Sequence, residues 1–173
     1  MMDELFQKMM RDQVCDWGVA LAGASGVPGS AEHLSAAAIA QFANAELAHI
    51  AIDDPVLDRV VELASEGCAS SADLREQLQA ICEAKEVNLD AAHHKWQLYL
   101  LQEVLAGLDD DPVYAMIALS EFWGAWDWPT NMPSSLHPDT PVSADQYHSD
   151  AYYARVKDEH ARWLRDELNA LKR

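Results

Sequence analysis

Metal chemistry is the first possibility raised by residue type and spacing. Glu46-Leu-Ala-His49 sets a carboxylate and an imidazole one helical turn apart, and helical bundles that hold two metal ions use two such Glu-x-x-His steps with two further carboxylates. A second step is missing. Asp90 with His93, and Asp145 with His148, keep the spacing with a shorter acid, but both fall at or near predicted helix starts, where Asp serves as a cap. His93 and His94 are adjacent, so on a helix they point about 100° apart and form no two-ligand face. The expectation is no metal site and no cofactor. Nucleophilic catalysis fares no better, because no GxSxG or SxxK is present. GASGVPGS at residues 23–30 lacks the terminal Lys and the preceding strand of a phosphate loop and reads as a turn. Cys15, Cys68 and Cys82 have no CxxC spacing and read as reduced structural thiols. No catalytic residue is assigned.

Binding chemistry is better served. Asp109, Asp110 and Asp111 precede one apolar helix, and Trp126, Asp127 and Trp128 follow it. Rings supply area to bury and carboxylates pair with Lys or Arg, a combination suited to gripping a basic protein. On a straight helix the two groups lie about 20 Å apart, as two contact regions. The competing reading makes Asp111 a cap, Asp109 and Asp110 a solvated elbow, and the tryptophans core. That reading is preferred for Trp123, while Trp126 and Trp128 stay open between core and interface.

The elements that position these groups are helical. Over residues 91–108, Trp96, Leu98, Tyr99, Leu100, Leu101, Val104, Leu105 and Leu108 cover most of a helix circumference, predicting a segment enclosed by protein. Gly107 closes it, and Asp111-Pro112 opens a second apolar helix to about Ala125, carrying Ile117, Leu119, Phe122 and Trp123. Glu103 and Glu121 lie on this pair, with raised pKa values if buried and ordinary ones if facing water. Before the pair, apolar spacing predicts helices over 3–21, from Ser35 to Ile50, over 56–65 and over 73–85, with Gly23, Gly26, Pro28 and Gly29 breaking the first. After it, residues 127–142 hold Pro129, Pro133, Pro138 and Pro141, a loop either functional or loosely held. Ser143 with Gln146 then signals a last helix over 143–173 whose stripe includes Tyr153, Val156, His160 and Leu164. His160 reads as a hydrogen-bonded histidine at the core edge. No segment alternates as a strand does. The expected fold is all-α, a single domain over 1–173 of about seven helices, with a central buried pair and the last helix on the same core.

Charge narrows the function. Twelve Lys and Arg stand against 29 Asp and Glu, a net charge of -17. Residues 145–173 carry six acids and six bases, so the whole excess lies in the preceding part of the chain. Such a field repels nucleic acid and anionic lipid and speeds the approach of a basic protein. The opening MMDELFQKMMRDQ has no basic region followed by an apolar core, and no run reaches the roughly 18 apolar residues needed to cross a bilayer. A cytoplasmic protein is expected, binding neither nucleic acid nor membrane.

The order of Trp17, LSAAAIAQFANAEL at 34–47, DPVLDRVVELAS at 54–65, HKWQLYLLQEVLAGL at 94–108 and DDPVYAMIALSEFWGAWDWPTNMP at 110–133 resembles a bacterial family, domain of unknown function twenty-two-forty-seven. The resemblance covers residues 15–133 and leaves the last helix as an addition. It departs at Trp128, where the family more often has tyrosine before the proline. Members are associated with immunity genes of polymorphic toxin systems, so the resemblance implies a non-enzymatic immunity protein that neutralises a cognate, basic toxin domain. It supplies no catalytic residues. Two other classes stay open: a helical adaptor or chaperone for a secreted effector, which would bind an unfolded segment, and a carboxylate-bridged metal enzyme, which would hold stoichiometric iron or manganese. Neither the toxin nor the oligomeric state is specified by these residues.

Overall fold

The computed structural model describes residues 1–68, 70–137 and 142–171. Among them are nine α-helices and one 3-10 turn, with no strand. In chain order the helices are α1 (Met2–Arg11), α2 (Trp17–Ser25), α3 (Ala36–Leu47), α4 (Leu57–Ala64), α5 (Ser71–Ala84), α6 (Leu89–Ala106), α7 (Pro112–Ala125), α8 (Ala144–Tyr147) and α9 (Asp150–Leu171). The 3-10 turn, Ser134–Leu136, lies between α7 and α8. Two compact units divide the chain, Met1–Trp96 and Gln97–Arg173.

In the first unit α3 packs along α4 and α2 along α5, while α1 touches α3 and α4 touches α5. Four rings make its centre. Phe6 stacks on Trp96 with centroids 6.4 Å apart, and Phe42 meets Phe6 edge-on at 5.7 Å and Trp17 at 4.8 Å. The Trp96 indole N–H donates to the Val19 carbonyl at 2.9 Å, so the one polar atom of a fully buried ring is satisfied. Asp16 accepts from the Val19 amide at 2.9 Å, capping α2, and binds Lys95 with the same carboxylate. Ser35 caps α3 by accepting from the Ala38 amide and is itself held by Asp3, through its hydroxyl at 2.7 Å and its amide at 3.0 Å.

The single helix expected over residues 3–21 is two. Gln13 takes φ of 59°, and the amides of Gln13 and Val14 return to the carbonyls of Met10 and Met9 at 3.1 Å each. That closes α1 in a Schellman motif. Gly23 was expected to break the helix, but it lies within α2, and the chain leaves the helix only at Gly26, where φ is 101°. Gly23 is needed for close approach: a Cβ there would stand 2.5 Å from Leu34 Cδ1 and 2.7 Å from Trp96 Cζ2.

In the second unit α7 and α9 pack together, the 3-10 turn touches both, and α8 touches α9. The capping box of Ser143 and Gln146 is present, but it serves only the four residues of α8. The Ser149 hydroxyl then accepts from the Tyr152 amide at 3.3 Å and starts α9, so the last expected helix is also two. Its stripe is placed as expected, with Tyr153, Val156, His160 and Leu164 buried. The proline-rich segment 127–142 is firmly held where it is described. Tyr147, Tyr152 and Trp163 donate to the carbonyls of Leu136, Ser135 and Asn131 at 2.9, 2.7 and 2.8 Å. Pro138 and Pro141 lie outside the described residues.

Gly23→Ala should lower stability by about 1–3 kcal/mol, because the added methyl overpacks a filled site. Gln13→Gly should raise it by about 1 kcal/mol by relieving a left-handed conformation that a side chain disfavours. Urea unfolding followed by circular dichroism measures both, and a Gly23→Ala midpoint at or above that of the parent chain would contradict the close-approach argument.

Candidate functional site

The acidic elbow before α7 is built by its own hydrogen bonds. Asp111 accepts from the Val113 amide at 2.8 Å, and Pro112 occupies the first helical turn, where its missing N–H costs nothing. Asp109 accepts from the Asp111 amide at 2.8 Å, and the Asp109 carbonyl accepts from the Tyr153 hydroxyl at 3.0 Å. Two of the three carboxylates are therefore held locally, and Asp110, exposed like both neighbours, points its charge at solvent. Burial pushes the Tyr153 phenol pKa up, and Asp110 and Asp109 push it further.

At the other end α7 closes in a Schellman motif, with the Trp128 amide on the Trp123 carbonyl at 3.0 Å and that of Asp127 on Gly124 at 3.2 Å. Asp127 and Trp128 both have positive φ, 55° and 48°. This sharp reversal separates the two tryptophans. Trp126 is half-buried, its ring 6.3 Å from Phe122. Trp128 is exposed, its ring lying against Gly124 and edge-on to His137 at 4.5 Å. Asp127 is exposed beside it.

Between the two ends α7 is not enclosed. Ala115, Met116, Leu119, Phe122 and Trp123 are buried, but Ile117, expected within the apolar body, is 47 % exposed. Tyr114 is 64 % exposed and Val113 39 %. Positions 114, 117, 121 and 124 recur at threes and fours, so Tyr114, Ile117, Glu121 and Gly124 follow one exposed stripe of α7, and the Trp128 ring, folded back by the reversal, lies against Gly124 at its end. Of the groups singled out in the sequence, Trp128 adjoins this stripe, whereas Trp126 packs on Phe122 and Asp109 meets Tyr153 of α9. Tyr114 and Ile117 were missed because a helix apolar by composition gives no pattern to say which side faces water. On α6 the enclosure is also partial: Trp96 and residues 98–101 are buried, whereas Val104, Leu105 and Leu108 are only half-buried. Glu103 and Glu121 are both exposed.

Charge follows the same division. No Lys or Arg occurs between Lys95 and Arg155. The bases of the second unit are on α9 and beyond, and Lys157 and Arg165 border a 460 Å³ groove with Leu105, Leu164 and Leu168 that no α7 residue lines.

Beneath the stripe, the Trp123 indole N–H donates to His160 Nε2 at 3.0 Å, both rings fully buried. An accepting Nε2 places the proton on Nδ1, which lies 2.8 Å from the Val156 carbonyl. The imidazole is neutral. Burial lowers its pKa below the usual 6.5, against the opposing pull of the Val156 carbonyl and Glu159.

The other candidates are dispersed. α3 ends at Leu47, so the Glu46 to His49 step leaves the helix between its two residues. Both line a 340 Å³ pocket with Met10, Gln13, Cys15, Phe42 and Ala45. No group of three metal-ligating side chains occurs among the described residues. Burial pushes the Cys15 thiol up to about 12 and Cys82 to about 11, keeping both as unreactive thiols.

Residues 6–168 match the model of a family described as uncharacterized protein conserved in bacteria (DUF2247). This chain belongs to that family. The match runs through α9, so the last helix is part of the DUF2247 domain and not an addition to it. No curated protein and no solved structure gives a significant match. No helix among the described residues of this DUF2247 member is long and apolar enough to cross a membrane.

The unfolded chain binds the His160 proton more readily than the folded one. Stability should therefore be complete above about pH 6.5 and fall as pH drops through the lowered folded pKa. Urea midpoints between pH 7.5 and 5.5 should fall more steeply for the parent chain than for His160→Gln, which does not titrate, and equal slopes would contradict the neutral-imidazole assignment.

Proposed function

We propose that this DUF2247 protein is a non-enzymatic, cytoplasmic immunity protein that binds a cognate basic toxin domain and neutralises it by physical blockade. The observation that carries this reading is the surface on α7, where exposed Tyr114, Ile117 and Trp128 lie near Asp110, Glu121 and Asp127 in a stretch of chain without a single Lys or Arg. Exposed large rings with carboxylates around them provide area for contact and charge for selection. The net charge of -17 adds long-range attraction for a cationic partner and repels nucleic acid competing for the same toxin. Neither part of that action requires a bond to be made or broken.

Co-expression with a basic toxin domain from a neighbouring gene should restore growth, and a tag on either protein should recover both. No recovered toxin together with no rescue overturns the reading. Association measured by stopped flow should slow as ionic strength rises from about 0.01 M to 0.15 M, since the screening length shrinks from about 30 Å to about 8 Å. A rate indifferent to salt would instead mark an association driven by apolar contact alone.

A further inference from the structure

Resting on that reading, we infer that the outer stripe of α7 is the docking surface itself and that its occupant is a cationic amphipathic segment of the partner. Apolar side chains of that segment lie over Tyr114 and Ile117, and its Lys or Arg groups meet Asp110, Glu121 and Asp127.

Tyr114, Ile117 and Val113 expose large apolar area on a helix whose other side is fully committed to packing. The stripe does not stop where the helix does. The reversal at Asp127 and Trp128 folds the Trp128 ring back against Gly124, so a ring continues the apolar line past the last helical turn. From Val113 to Gly124 the line is about 16 Å long at 1.5 Å per residue, the footprint of a short helix or an extended strand of five residues.

Charge selects among occupants. Acids stand before the stripe at Asp110, within it at Glu121 and at its far end at Asp127, and residues 96–154 contain no Lys or Arg. A second copy of this chain would bring the same acids against these, and a chain of net charge -17 repels itself. Anionic lipid and nucleic acid are opposed for the same reason. A partner that buries Tyr114 and Ile117 must present apolar groups with positive charge around them, since unpaired carboxylates at the rim of a closed interface are costly. The elbow is ready for this: Asp109 and Asp111 are already held by backbone amides, so Asp110 is presented from a fixed base.

The test uses the full chain and a purified basic toxin domain from a neighbouring gene. Tyr114→Ala with Ile117→Ala should weaken binding about 100-fold, mostly through faster dissociation, with little loss of thermal stability because both side chains are exposed. Asp110→Lys with Glu121→Lys should slow association and flatten its salt dependence. Asp158→Lys with Asp166→Lys on α9 removes the same number of acids elsewhere and should leave dissociation unchanged. If the parent chain binds the toxin and the Tyr114, Ile117 variant binds within about threefold of it, the stripe is not the docking surface and the immunity reading stands. If the parent chain does not bind, both fall.

Discussion

The indole to imidazole hydrogen bond between Trp123 and His160 is the contact on which the second unit depends. Trp123 is the largest side chain on the packed side of α7, and its N–H has to be satisfied where water does not reach. His160 supplies the acceptor from α9, and its own N–H is taken up one turn back by Val156. Trp163, one turn further along α9, packs edge-on against Trp123 at 5.5 Å and donates to Asn131. One aromatic cluster thereby fixes α7 on α9 and fixes the chain that leaves α7. The direction of the outer stripe follows from it, since rotating α7 would break a bond whose two partners have no alternative.

How the loop after α7 is held has the same character. Backbone carbonyls at Asn131, Ser135 and Leu136 would be left without amide partners in a segment rich in proline, which offers no N–H. Aromatic donors reach across from α8 and α9 to fill that need. Tyrosine and tryptophan serve twice here, as apolar volume and as donors to residues 131–136.

Much of this architecture was legible in the sequence. Ser35 and Asp111 cap the helices expected of them, because a side chain that satisfies a free amide leaves a local signature, while the Ser143 box is present but serves only α8. Helix ends were harder. Four of them close through a left-handed residue that is not glycine, namely Gln13, Glu66, Glu86 and Asp127. Tertiary packing sustains that conformation where local preference would not, so the break between α1 and α2 carries no punctuation in the sequence. The acid and tryptophan groups flanking α7 were recognisable by composition, but the exposed stripe between them was not. That required knowing which side of an apolar helix is buried, a property set by Trp123 and its partner on a helix 37 residues further on.

On α7 the side chains that hold the fold and those left exposed alternate along one helix without sharing positions. The exposed positions can therefore change at little cost to the scaffold: Tyr114 and Ile117 are exposed, whereas Met116 and Leu119 are packed away from solvent. Gly124 is where the two sets meet. A methyl there would stand 3.5 Å from the Trp128 ring, in ordinary contact, so the site accepts alanine but a longer side chain would have to lift that ring and redraw the surface. The exposed side of α7 thus has room to change at Tyr114, Ile117 and Glu121, and one position, Gly124, at which change carries a structural consequence.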